Sequence, residues 1–316
     1  MSALLLRRLW SLVPVWVGIS VLAFALGHLA PGDPALLLLQ AAGEEPTPQT
    51  VQAMRRELGL DQPAPVQYVL WLARAVQGNL GVSYRSRRSV LHELLGRLPA
   101  TLALALPAFL IAIALAVPLG VLSAASPRTW IDHATRVLAL AGITLPSFLL
   151  AYLLVLAFGV QWRLFPVAGR EGFQSMVLPA VTLALPSLAG LTRLVRAGVL
   201  EVLGEEYVRT ARAKGVPERR VLYRHALPNA LIPALTAAGI RFGHLVTGAV
   251  IVETVFSWPG LGRLVVEAIQ SRDYPVIQGS VLFSGTLFVF TNLVVDVMYG
   301  LLDPRVRVEG AGLGNP

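Results

Sequence analysis

Six apolar runs decide what this chain can fold into: residues 9–30, 98–125, 137–160, 176–195, 230–256 and 276–302. Each reaches or exceeds the ~20 residues that cross the hydrocarbon of a bilayer. Inside lipid, every backbone N–H and C=O must be satisfied within the protein, so runs of this length are helices. Pro14, Pro107, Pro118, Pro146, Pro179, Pro186 and Pro233 fall inside or at the edges of the runs. Bundled membrane helices tolerate them because neighbours satisfy the freed carbonyls. With 55% hydrophobic and only 14% charged residues among 316, the chain carries too few charges for a soluble enzyme of its size. The expected fold is an all-α integral membrane protein of six transmembrane helices.

The organisation follows from what lies between the runs. Residues 1–30 form an N-terminal segment and first transmembrane helix. Residues 31–97 form an extracytoplasmic helical loop, 98–302 a five-helix core that includes a charged loop at 201–229, and 303–316 a tail. Run 9–30 is too long for a signal-peptide core, and His28-Leu29-Ala30 is a poor cleavage site, so it reads as an uncleaved helix starting inside the cell. Arg7, Arg8, Arg128, six basic residues of 201–229, Arg305 and Arg307 collect on one side. The short loops of the other side hold Arg163, Arg170, Arg263 and Arg272. The excess places the charged loop and both termini in the cytoplasm. The seven arginines of 31–97 do not reverse this, because a loop of that length translocates largely regardless of charge.

Composition and motif content exclude several function classes. The formal charge of +8 comes with no aromatic-plus-basic platform, so nucleic acid is not an expected partner. The absence of cysteine removes disulfides, thiolate nucleophiles and cysteine-based metal sites. Lys214 is the only lysine, and Gly215 follows it where a phosphate-binding loop needs Ser or Thr. If ATP drives the protein, another polypeptide binds it. No G-x-S-x-G or H-E-x-x-H is present, and His28, His92, His133, His225 and His244 lie far apart. Ser147 and Ser284, inside the runs, read as packing residues.

The outer loop has helical signals of its own. Thr47 and Pro48 make a cap and first turn, Val51, Met54 and Leu58 share a face, and Gly59 stops the helix. Further helices are expected over residues 66–76 and, behind Ser89, over 90–98. Arg85, Arg87 and Arg88 between them suit either a solvated face or an anionic partner.

Ionisable residues at membrane depth are functional candidates, because a charge there costs ~2.5–3.5 kcal/mol even on the mildest scale. Arg241 and His244 lie in the fifth run, Glu253 near its outer end, and Asp296 with Asn292 in the sixth. Arg241 and Glu253 are about 18 Å apart along a straight helix, too far to pair. Glu253 reads as a pathway residue and Asp296 as a structural hydrogen-bond partner, while Arg241 is long enough to snorkel toward the cytoplasm. Arg241, His244, Glu253 and Trp258 form the candidate substrate pathway. Trp258 stands in a run of aromatics, Pro and Gly that also suits a re-entrant turn or interface anchor.

Residues 201–229 are the longest charged, helix-prone stretch. Good helix formers continue to Lys214, Gly215 is suited to a left-handed stop, and Pro217 is pre-set for the next first turn. Two short helices with a sharp bend are expected, carrying an apolar docking ridge of Ala211, Val216, Val221 and Leu222. The stretch resembles the cytoplasmic coupling loop of ABC importer permeases, whose pattern is Glu-Ala-Ala, three residues, Gly, nine residues, Ile, one residue, Leu-Pro. Aligned on Gly215, Thr210 and Ala211 occupy the Ala-Ala positions and Leu227 and Pro228 the Leu-Pro, while Arg209 replaces the Glu and His225 the Ile. Those departures resemble the dipeptide, oligopeptide and nickel branch, and Tyr207-Val-Arg-Thr-Ala-Arg-Ala-Lys-Gly215 is that branch's usual form without a mismatch. Leu29-Ala30-Pro31-Gly32-Asp33-Pro34, Leu58-Gly59-Leu60-Asp61, Arg272-Asp273-Tyr274-Pro275 and Leu302-Asp303-Pro304-Arg305 are similar to the same branch, as is the run from Glu253 to Gly262.

The resemblance implies the first permease of a peptide importer in the cytoplasmic membrane of a prokaryote. Its partners would be a second, related permease, two ATPase subunits and an extracytoplasmic binding protein. No cofactor is implied for this chain, and ATP with Mg would sit on the ATPases. Tyr207, Arg209, Thr210, Ala211, Arg212, Lys214, Gly215, Val216, Pro217, Leu227 and Pro228 would form the ATPase-docking surface. The rival reading is a proton-coupled secondary transporter carrying protons on Asp296 and Glu253. It calls for symmetry between two halves of the chain, and no such repeat is visible.

Overall fold

The computed structural model describes residues 2–29, 32–43, 45–247 and 249–302, and these residues are helical with short connections. The chain divides into two compact units, residues 1–99 with 260–289 and residues 100–259 with 290–316.

The first unit begins with α1, Ser2–His28, which carries Pro14 inside it. Asp33 caps α2, Pro34–Ala42, by accepting the Ala35 N–H at 3.1 Å, and Gly43 ends it at φ 75°. In α3, Pro48–Leu58, Thr47 and Thr50 satisfy each other's backbone N–H groups reciprocally, and Gly59 stops the helix at φ 71°. The cap and stop read from the sequence are both present. Helix α4, Ala64–Val76, lies against α1 through a 2.8 Å hydrogen bond between the Ser20 and Tyr68 hydroxyls and an edge contact of Phe24 with Tyr68. The core joins Leu80, Val90 and Leu94 to Val276 and to Leu261, Leu264 and Ala268 of α13, Leu261–Gln270. Buried Asp273 accepts the Ser83 hydroxyl at 2.5 Å and the N–H groups of Tyr84 and Arg85 at 3.1 and 3.3 Å, pinning the segment that leads into Val90. Burial, and then the Asp273 charge, push the Tyr84 hydroxyl well above its ordinary range.

Helix α5, Val90–Ala125, enters the second unit at Ala100. The short helix expected over 90–98 and the run expected from 98 are therefore one helix of 36 residues. The run at 137–160 is not straight. Helix α6, Trp130–Thr144, stops at Leu145, whose ψ of 123° is the extended value favoured before proline. After Pro146, α7, Ser147–Leu154, continues through a π-helical turn to Gln161, and the two arms bend by 108°. Helix α8, Gln174–Leu203, packs against α6, α7 and α11, Leu227–Thr247. Helices α9, Glu206–Ala213, and α10, Glu218–Arg220, follow. A second π-helical turn, Val221–Ala226, leads from α10 into α11, Leu227–Thr247. Helix α12, Val250–Val255, is short, and α14, Tyr274–Leu302, ends the described chain.

Among the described residues, four helices are long and apolar enough to cross a membrane, and the bent pair makes a fifth candidate. In α1 the qualifying apolar stretch is the shorter Leu12–His28. The tail at 303–316 lies outside the described residues.

Small residues set how closely the helices of the second unit approach. A Cβ on Gly198 of α8 would fall 2.9 Å from the Ala230 carbonyl oxygen, which is backbone and cannot swing away. Without a hydrophobic drive between helices in lipid, such close contact is what holds them together. Gly198→Ala is expected to destabilise the protein by about 1–3 kcal/mol, read as a lower melting temperature in detergent. Gly96→Ala, where a Cβ meets nothing within 4 Å, is the control and should melt no lower than the parent.

Candidate functional site

The charged stretch forms a bent helical element between α8 and α11. Helix α9 begins after extended Glu205, and Gly215 reverses the chain at φ 74°. Pro217, at φ −62° and ψ 142°, then opens the next helix. The bend falls on the two residues chosen from the sequence. The second arm is not a separate short helix, however, because the helix from Glu218 continues without interruption into α11. The second arm is therefore continuous with a long apolar helix.

Side chains divide between holding the bend and facing outward. Arg212 donates to both Glu218 oxygens, at 2.5 and 3.1 Å, and to the Leu203 carbonyl at 3.3 Å. The Glu218 hydrogen bond raises the Arg212 pKa further. The clamp is solvent-exposed and worth about 0.2–1 kcal/mol, but it spans Gly215 and fixes the angle between the arms. Asn229 donates to the Tyr207 hydroxyl at 2.9 Å, and Tyr207 donates to the His225 carbonyl at 3.4 Å, pinning α9 to the second arm. Arg209, Thr210, Lys214, Gly215, Pro217 and Pro228 are exposed, and Ala211, Val216 and Leu227 are half-buried. Arg209 pairs with Glu206 at 3.0 Å on the surface. Val221, read as part of an outward ridge, is wholly buried together with Val208. These two valines anchor the element to its own unit. The apolar surface that faces out is the rings of Tyr207 and Tyr223, which are 43% and 51% exposed.

A buried ion pair stands where α5, α6 and α8 meet. Arg196 of α8 donates from Nε and Nη2 to the two oxygens of Asp132, at 2.7 and 2.9 Å. The Ser123 hydroxyl adds a third bond at 2.6 Å and the Arg128 N–H a fourth at 3.1 Å. Asp132 is 1% exposed and fully used as an acceptor. Hydropathy alone does not single out this pair. The available signal is an arginine directly behind the apolar run 176–195, where a buried charge demands a partner.

Of the pathway candidates, the structure brings Glu253 and Trp258 together and leaves Arg241 and His244 elsewhere. Glu253 is wholly buried and accepts the Thr101 hydroxyl at 2.7 Å. The Trp258 ring N–H donates to the Ala100 carbonyl at 2.7 Å, and the Trp258 backbone N–H to the Glu253 carbonyl at 2.7 Å. The Arg170 guanidinium lies 5.5 Å from the Trp258 ring centroid. This is a closed knot between the head of the α5 portion and α12. Arg241 lies half-buried against Gly190, and His244 is exposed one turn further along. Arg241 therefore packs on α8. The Asp296 side chain lies outside the described residues, and the buried Asn292 Oδ1 has no partner among the described residues.

Long apolar helices interrupted by an exposed, basic, sharply bent element make this chain a membrane permease. It belongs to the family of binding-protein-dependent transport system inner membrane components, whose model matches residues 116–308, with the N-terminal model of the same systems matching residues 1–105. The chain is 40% identical over 339 residues to the dipeptide transport system permease protein of Escherichia coli, covering 97% of this chain and 99% of that one. It is 41% identical over 304 residues to an E. coli glutathione transport system permease protein, covering 96% and 98%. A crystal structure of an amino acid ABC transporter superposes with a TM-score of 0.50 at 19% identity, covering 74% of this chain and 98% of the other. That likeness bears on the fold alone. The chain is a transport subunit and not itself an enzyme.

Proposed function

We propose that the chain imports peptides as one of two permeases in an ATP-driven complex, with six transmembrane helices, both termini in the cytoplasm and an outer helical loop over 31–97. The observation that carries the reading is the bent element: an exposed basic surface continuous in sequence and helix with α11. Two ATPase subunits bind ATP and Mg, and one of them receives α9 with Arg209, Lys214 and the Tyr207 and Tyr223 rings. Arg212 holds the angle. Closure of the ATPases moves the element as a unit and shifts the helices between outward-open and inward-open forms. Arg241, His244, Glu253 and Trp258 belong to the pathway, with the Glu253–Trp258 knot shut in this conformation. An extracytoplasmic binding protein delivers the solute, a peptide as the relatives' names suggest.

Uptake by membrane vesicles separates this from the proton-coupled alternative. Peptide uptake is expected to require ATP and the binding protein and to survive a protonophore that collapses the pH gradient. Uptake that tracks the gradient in vesicles lacking ATP would overturn the proposal.

A further inference from the structure

We propose that Arg241, lodged over Gly190, receives the α-carboxylate of the transported solute; this rests on the peptide-importer reading above. Arg241 stands in the last third of α11, within the span candidate Glu218–Val255, and Gly190 about midway along α8, so both lie inside stretches fit to span a bilayer. A Cβ on Gly190 would come 2.2 Å from Nη2, 2.6 Å from Cζ and 2.9 Å from Nη1 of Arg241. The guanidinium occupies the space that any other side chain at position 190 would fill.

The lodging is built, yet the donors are unspent. Among the described residues, Arg241 has no carboxylate within 4.0 Å and donates no hydrogen bond. Arg196, the other half-buried arginine of α8 and α11, shows what a structural arginine in this unit looks like: both arms of its fork are taken up by Asp132. Exposed His244 lies one turn from Arg241 on the same helix, so this side carries a second polar group at membrane depth. A face of that kind is set against water or protein, not hydrocarbon. Peptides differ in every side chain but share a terminal carboxylate, and the planar fork of arginine matches a carboxylate bidentately. A single cation for the common group leaves side-chain selectivity to other subunits.

The chain contains no cysteine, so Arg241→Cys introduces its only thiol, to be studied in the full complex with the cysteines of the other subunits replaced. Uptake should fall about tenfold or more while basal ATP hydrolysis persists, as expected for losing one member of a desolvated charge pair. Aminoethyl methanethiosulfonate, which restores a positive charge, should recover uptake, and the sulfonatoethyl reagent, which adds a negative one, should not. Peptide with loaded binding protein should slow the labelling. Equal effects of the two reagents, or labelling that peptide leaves unchanged, overturn the proposal. Charge-selective recovery without peptide protection assigns Arg241 to an acidic residue of the second permease and overturns it equally. Should Arg241→Cys fail to assemble, Gly190→Ala, which evicts the guanidinium, must itself depress uptake with hydrolysis retained, and unchanged uptake refutes the idea. Absence of ATP-driven peptide uptake in the unmodified complex would instead sink the importer reading.

Discussion

Gly215→Asp is expected to yield a permease that folds and reaches the membrane but takes up solute at least about tenfold more slowly while its ATPases continue to turn over. The structure separates the two effects. Gly215 has φ 74°, and a Cβ built there meets nothing within 4 Å, so the substitution creates no clash. Aspartate tolerates the left-handed region better than most residues, and the conformational cost is roughly 1–2 kcal/mol. What changes is the surface. A carboxylate appears beside Lys214 and next to the Arg212–Glu218 clamp, at the exposed turn of the element that the ATPase is proposed to grip. Gly215→Ala carries similar backbone strain without the charge and is expected to retain most uptake. Measuring uptake and ATP hydrolysis on the same reconstituted vesicles checks both variants. Normal uptake by Gly215→Asp would remove the bend from the coupling path.

Where one residue type dictates a local geometry, the sequence was legible. Thr47, Pro48 and Gly59 bound α3 as a cap, a first turn and a left-handed stop require, and Gly215 with Pro217 produce the bend. Long apolar runs gave the long apolar helices, because hydrophobic length is a property of a single segment, although four such helices and one bent pair stand among the described residues where six spans were expected. Features that depend on two distant segments were hidden. Periodicity does not say whether a proline inside an apolar run bends it: α5 passes Pro99, Pro107 and Pro118 as one helix, while Pro146 breaks the next run by 108°. Helix α13 went unread, although Leu261, Leu264 and Ala268 follow a helical spacing behind Gly260. Val221 looked like a docking residue because charged neighbours surround it in sequence, yet its side chain turns into the unit. Arg196 finds Asp132 across 64 residues, and nothing local to either announces the other.

That ion pair supplies the largest expected stability effect. Asp132→Ala leaves the Arg196 guanidinium in a site shaped for a salt bridge, and it also strips Ser123 and the Arg128 N–H of their acceptor. Breaking a buried pair from one side costs about 3–5 kcal/mol, and because the Arg196 side chain is 24% exposed the lower end applies. A loss of that size lowers the melting temperature of the detergent-solubilised complex by several degrees and reduces the amount recovered from the membrane. Removing both charges has a different outcome. Asp132→Leu with Arg196→Met fills much of the same volume without a stranded ion, and such replacements are often neutral or stabilising. The double variant should therefore melt above Asp132→Ala. Uptake then tells what the pair is for. If the double variant regains stability and transport together, the pair is structural glue between α5, α6 and α8. If it regains stability but still fails to transport, the pair holds the foot of α8, from which α9 departs, in an orientation that apolar packing does not reproduce. Asp132→Ala melting with the parent would show that the pair contributes nothing measurable to the bundle.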